Sequence, residues 1–428
     1  MEKISFDQLQ EDLFHEKLQN GLNVYILPKK GFNKTYATFT TNYGSVDNQF
    51  IPLGKNEYVH VPDGIAHFLE HKLFEKEDGD VFQDFSKQGA SANAFTAFTR
   101  TAYLFSSTSN VELNLETLID FVQSPYFTEK TVEKEKGIIG QEITMYDDNP
   151  DWRLYFGVIE NMYKNHPVRI DIAGTIDSIS KITKDMLYEC YETFYHPSNM
   201  VLFVVGPIEP EKIMEQIRSN QAKKDYKDQP EIKRHFEEEP VEVNVKKKVL
   251  EMNVQSSKCM VGVKALNPSL SGNALLKREL SITIILDWLF GKSSKHYQEL
   301  YEEGLIDDTF SYDYTEEHGF GFAVVGGDTP NPDVLSKKVR NIMLSSKGAG
   351  ITSEELERVK KKKIGAFLRS LNSPDYIANQ FTRYAFNDMN LFDVVPMMES
   401  LTVDDITNTV NEFFDEIRMT ECQVVPKK

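Results

Sequence analysis

Two histidines and a glutamate within five residues, His67-Phe68-Leu69-Glu70-His71, are the side chains of this sequence best spaced to do chemistry. On a helix, residues i and i+4 share one face, so both imidazoles point the same way and Glu70, at i+3, leans with them. Such a turn can hold a zinc ion and a catalytic base together. The order of the three, H-x-x-E-H, is one form of the metal-dependent hydrolase signature.

Hydrolysis at zinc needs a third protein ligand and a fourth position left open for water. Downstream, residues 131–143 carry apolar side chains at helical intervals with a charged opposite face. Within them Glu135 and Glu142 stand seven apart, on one side of the helix and two turns from each other. One can bind metal while the other supports a ligand through a histidine or water. Taken singly, either glutamate reads as a solvated helix charge, and it is the upstream pentapeptide that makes them a pair.

These side chains require scaffolding. Gly64 precedes Ile65-Ala66, and Leu69, Leu73 and Phe74 supply the buried stripe for a helix of about three turns. The polar stretch Ser219 to Pro240, with Glu237-Glu238-Glu239-Pro240 at its end, reads as a linker over 221–240 between spans 1–220 and 241–428. The two spans repeat one plan. The first has strands near 22–28 and 35–43, helices near 64–75 and 80–88, strands near 93–107, three helices and a last strand near 199–206. The second has strands near 247–254 and 258–266, helices near 274–289 and 293–303, strands near 307–327, several helices and a last strand near 420–426.

At this level the chain resembles the insulinase (pitrilysin-type) inverzincin zinc metallopeptidases, which include insulin-degrading enzyme and the mitochondrial processing peptidase. The resemblance runs nearly the whole length: Asn20-Gly21-Leu22-Asn23-Val24, the pentapeptide, Asn93-Ala94-Phe95-Thr96 with Thr101-Ala102-Tyr103, His166-Pro167, Gly174, and Tyr195-His196-Pro197-Ser198-Asn199 running to Val204-Val205-Gly206. It implies an α+β fold of two similar domains, each a mostly antiparallel sheet with helices packed on one face. The first carries the zinc site; the second shares the fold without a metal motif.

Carried over residue by residue, the resemblance makes His67, His71 and Glu142 the ligands of one Zn2+ per chain, Glu70 the general base and Glu135 the supporting carboxylate. Glu70 would take a proton from water whose pKa zinc lowers to about 7, and return it to the leaving amine. The stretch Ala90 to Phe98, with Ala92, Asn93, Ala94, Phe95 and Thr96 at its centre, would bind an extended peptide along a sheet edge. An ordinary edge strand would look the same.

Composition is consistent with an ordinary globular protein: 428 residues, 40% hydrophobic and 27% charged. A formal net charge of −18 argues against nucleic acid as the main partner, and serves solubility or the steering of basic peptides. The basic run Arg358 to Lys363 falls in a helical pattern and reads as a solvated face. Cys190, Cys259 and Cys422 are scattered and odd in number, as reduced core thiols would be. The amino terminus lacks a basic segment followed by an apolar run, and no apolar segment approaches 18 residues, so the expectation is a cytoplasmic protein away from the membrane.

One departure from the family pattern is informative. Active members present an arginine and, seven residues on, a tyrosine to the substrate carbonyl; here the aligned positions are Tyr301 and Asp308. This, with the wording from Leu300 to Asp308, suggests the YmfH-like branch of Bacillus-type bacteria. The resemblance then implies a heterodimer in which a paralogous, zinc-free subunit supplies the arginine and tyrosine, whereas a homodimer would lack them. Two other functions fit the fold: a scaffold that has lost catalysis, and a peptide-maturation or peptide-binding subunit whose zinc is structural.

Overall fold

The computed structural model describes residues 1–77, 79–266 and 269–427, which gather into two compact units. In the first, seven strands form one sheet: β1 (Glu2–Phe6), β2 (Glu11–Lys17), β3 (Asn23–Pro28), β4 (Thr35–Thr41), β5 (Ala90–Thr96), β6 (Thr101–Ser107) and β7 (Met200–Gly206). Their spatial order is β1-β2-β3-β7-β4-β6-β5, with only β3 and β7 parallel among these pairs. Burial explains the order. Every residue of β4 and β7 is buried, and these β-branched and aromatic runs occupy the sheet's centre. β5 alternates half-buried and exposed residues over its first four positions and forms an edge.

The second unit holds a five-stranded sheet of β8 (Lys247–Met252), β9 (Lys258–Lys264), β10 (Ser311–Glu317), β11 (Phe320–Asp328) and β12 (Met419–Pro426), in the order β8-β12-β9-β11-β10. Its one parallel pair is β8 with β12. This order matches β3-β7-β4-β6-β5 of the first sheet strand for strand, including the position of the parallel pair. The duplicated plan thus extends to topology, with β1 and β2 added on one side of the first sheet. These two were absent from the sequence reading, because Glu2–Phe6 and Glu11–Lys17 interleave charges with too few apolar residues to signal a strand.

The units are not contiguous spans of sequence. The first comprises Met1–Ile143, Asp171–Phe236 and Ser370–Phe386; the second comprises Thr144–Ile170, Glu237–Arg369 and Asn387–Lys428. The helix Pro150–Met162 packs on β12 and β9, and the helix Pro374–Ala385 packs on β7 and β4, each far in sequence from the sheet it covers. A cut within 221–240 therefore separates the two sheets but not these two helices. The polar stretch itself is held down. Arg234 pairs with buried Asp47 at 2.7 Å, and His235 N–H donates to Gln49 O. Glu239 accepts from the backbone N–H groups of Lys164, Asn165 and His166.

The basic run of the helix Ser353–Ser370 corrects one expectation, since only part of it is a solvated face. Lys360 is buried and donates to Glu399 O, while Lys362 and Lys363 reach the buried carboxylate of Asp287, 2.9 and 3.3 Å away. Burying Asp287 in the helix Gly272–Phe290 requires counter-charge, and the two amines supply it. All three cysteines are free and buried, and burial raises their thiol pKa values. Among the described residues no helix is long and apolar enough to cross a membrane.

Candidate metal centre

The pentapeptide lies on helix α1 (Ile65–Leu73), which packs against β5 and β6 and has eight of its nine residues buried. Its start is fixed by two glycines that touch across the chain. Gly64, with φ of 87°, would place a Cβ 2.4 Å from Ala173 O; Gly174, with φ of 74°, would place one 2.4 Å from Asp63 O. Only backbones without side chains can approach this closely, and the Ser178 hydroxyl adds a hydrogen bond to Asp63 O at 2.8 Å.

Helix α2 (Glu129–Asp147) buries Val132, Glu135, Ile139 and Ile143 along one face, which carries Glu135 and Glu142 to α1. His67, His71 and Glu142 converge, with one ligand atom from each within 4.8 Å of the others. Glu142 Oε2 lies 3.8 Å from His67 Nε2 and 3.6 Å from His71 Nε2. Ligand atoms of a tetrahedron with bonds of about 2.0–2.1 Å stand about 3.3–3.5 Å apart, so the group is wider than a closed zinc shell. His71 Nδ1 lies 3.1 Å from Glu135 Oε1, which directs Nε2 at Glu142 and reproduces the carboxylate–histidine support common at zinc.

Burial and charge act differently on the two imidazoles. Burial, followed by the charge of His71, holds the His67 imidazole well below its ordinary pKa, so it is neutral at pH 7. Its Nδ1 is buried with no hydrogen-bond partner among the described residues. A neutral imidazole can offer one ring nitrogen as a metal ligand, and His67 Nε2 is the nitrogen that faces Glu142. For His71, burial pulls the pKa down, but the Glu135 hydrogen bond and the nearby carboxylates outweigh it and the net shift is upward. The donor set of two nitrogens and one oxygen fits zinc. His71 and Glu142 remain about a quarter exposed, leaving one flank of the group open.

Glu70 is buried beside the histidines, and its Oε2 accepts a 2.7 Å hydrogen bond from the Thr96 hydroxyl on β5. Burial raises its pKa, and the Thr96 hydrogen bond opposes this only in part. Sequence reasoning placed Thr96 on the substrate strand and missed this bond, because register between a strand and a helix is not encoded in either segment alone. At the β5–β6 turn, Ala97 N–H donates to Arg100 O. By antiparallel alternation, the N–H and C=O groups of Ala92, Ala94 and Thr96 then face the open edge, while those of Asn93 and Phe95 face Leu104 and Ala102 of β6. Phe95 offers its side chain, which lies 5.8 Å from the Arg100 guanidinium.

Comparison with known proteins decides the family. A model described as insulinase, peptidase family M16, matches residues 57–176, a span that contains all five of His67, Glu70, His71, Glu135 and Glu142. A second, described as the peptidase M16 inactive domain, matches 181–363. The uncharacterized zinc protease YmfH of Bacillus subtilis (strain 168) is 70% identical over 424 residues, covering 99% of each chain. The chain belongs to the insulinase family, peptidase family M16. It falls in the YmfH-like branch.

Other M16 proteins agree. The zinc protease PqqE of Helicobacter pylori is 25% identical over 421 residues, 96% of this chain and 92% of that one. The crystal structure of an M16-like peptidase from Alicyclobacillus acidocaldarius superposes with a TM-score of 0.94 at 41% identity, covering 97% of this M16 chain and 99% of that one. Tyr301 and Asp308 lie at the helix Lys295–Glu302 and just beyond it, and both are exposed. The Tyr301 ring stacks on Tyr297, and Asp308 pairs with Lys292 at 3.3 Å.

Proposed function

We propose that this chain is a zinc metalloendopeptidase that cleaves peptides or short unfolded polypeptides, acting as the zinc-bearing subunit of a heterodimer. The observation that carries the reading is the convergence of His67, His71 and Glu142 beside a buried Glu70, next to a sheet edge with unpaired backbone groups. His67 Nε2, His71 Nε2 and a Glu142 carboxylate oxygen would hold the metal. Bound zinc supplies Lewis-acid polarisation of the carbonyl and lowers the pKa of water to about 7.

The remaining steps belong to the protein. β5 takes up the substrate as an added strand, pairing through the N–H and C=O groups of Ala92, Ala94 and Thr96. Glu70 accepts the proton of the attacking water as the carbon–oxygen bond forms, then delivers it to the amine as the carbon–nitrogen bond breaks. A carboxyl raised by burial suits both halves of that exchange better than an exposed one. Glu135 keeps the His71 ring in the tautomer and orientation that present Nε2.

Tyr301 and Asp308 support the heterodimer. An arginine and a tyrosine at those positions would stabilise the developing oxyanion, and donors of that kind contribute about a hundredfold or more in rate. A paralogous subunit without zinc would bring them. The test is a peptidase assay of the chain alone, with its paralogue, and with Glu70→Gln in the same mixture. The reading expects activity only in the wild-type mixture. Full activity of the isolated chain would remove the heterodimer, and full activity of Glu70→Gln would remove the mechanism.

A further inference from the structure

A cavity of about 390 Å³ lies within the second unit, between the helices Gly272–Phe290 and Val403–Phe413. Leu266, Leu270, Ile282 and Phe413 make its apolar wall, and Arg418 lies in the lining. The volume falls within the range of small-molecule sites, which combine mostly apolar walls with a few placed polar groups.

Arg418 is the unusual member. It is 3% exposed, and its guanidinium donates to Lys264 O at 3.2 Å and to Glu412 O in the last turn of the Val403–Phe413 helix. Those bonds use two of five donors and place the cation where a helix C-terminus favours it. The other cations of the lining have acids: Arg278 pairs with Glu316, and Lys277 with Asp405 at 2.6 Å. Among the described residues no carboxylate oxygen lies within ion-pairing distance of Arg418. A buried cation without an anion is costly, and here it lines an open cavity.

We infer that this cavity binds a small monocarboxylate with an apolar body, its carboxylate on Arg418 and its body against Leu266, Ile282 and Phe413. Burial lowers the Arg418 pKa, opposed by the more distant charges of Asp415 and Glu412, in keeping with a guanidinium short of counter-charge.

Titration calorimetry of the full chain with octanoate, N-acetyl-leucine and octanamide tests it, using Arg418→Met and Ala274→Trp, the latter to fill the cavity from its lining. The expected result is saturable binding of at least one carboxylate at about millimolar affinity. Octanamide and both variants should bind at least about tenfold more weakly. Preference for octanoate would indicate a fatty-acid ligand and preference for N-acetyl-leucine a peptide-like acid; either supports the site. No binding up to about 10 mM, equal binding of octanamide, or unchanged binding by Ala274→Trp overturns it.

Discussion

The Thr96 hydroxyl donates to Glu70 Oε2 across 2.7 Å, joining the edge strand to the helix that bears both histidines. Because this bond favours the charged carboxylate against the effect of burial, Thr96→Val should raise the Glu70 pKa further. The acid limb of the kcat/KM profile should then move to higher pH, with activity at neutral pH falling about tenfold. A profile superimposable on wild type would show that the bond does not tune the base.

Glu135 touches no metal position, yet it holds His71 Nδ1 at 3.1 Å. Glu135→Gln should therefore weaken zinc binding by about 10- to 100-fold while leaving one site per chain. Competition against a chromogenic chelator reads both numbers.

In the second unit, Asp287 gathers Lys362, Lys363 and the Tyr312 hydroxyl, which donates to it at 2.7 Å. Asp287→Ala should destabilise the chain by about 2–3 kcal/mol, less than a fully buried pair because Lys362 is half exposed. Urea unfolding monitored at Trp288, the next residue of that helix, measures the loss.

His166 is buried, and burial holds it at a pKa of about 4, with Glu239 opposing and Lys264 assisting. Its Nδ1 accepts from Val168 N–H at 3.1 Å, so the ring is neutral with its proton on Nε2. The unfolded chain takes up a proton near pH 6.5 while the folded chain resists it until about 4, so stability falls as the pH drops through that window. At pH 5 this residue costs about 2 kcal/mol relative to pH 8. His166→Gln should flatten the decline in melting temperature between pH 7 and 5, and an equally steep decline would assign it to other groups.

Much of the site was legible because it rests on short-range spacing. The i, i+4 histidines and the seven-residue step from Glu135 to Glu142 are set by helix geometry, so spacing singled out the four side chains, while the choice of Glu142 over Glu135 as the one facing both histidines came from the family resemblance. What it could not supply was long-range register. The Thr96–Glu70 bond, the contact of Gly64 with the 173–174 loop and the choice of Lys362 and Lys363 by Asp287 depend on how distant segments meet. The strand plan followed the same divide. The apolar runs of β4 and β7 were plain, whereas β1 and β2, built from Glu2–Phe6 and Glu11–Lys17, are held by pairing to a neighbour that their own composition does not announce. The helices Pro150–Met162 and Pro374–Ala385 were not placed individually from the sequence, and which sheet each would cover was not a property of its residues.

The most direct test of the metal centre is anomalous diffraction at the zinc edge from crystals of the zinc-loaded chain. The account predicts one strong peak per chain about 2.0–2.2 Å from His67 Nε2, His71 Nε2 and a Glu142 carboxylate oxygen. A peak elsewhere, or one at the two histidines with Glu142 turned away and a different side chain in its place, would contradict it.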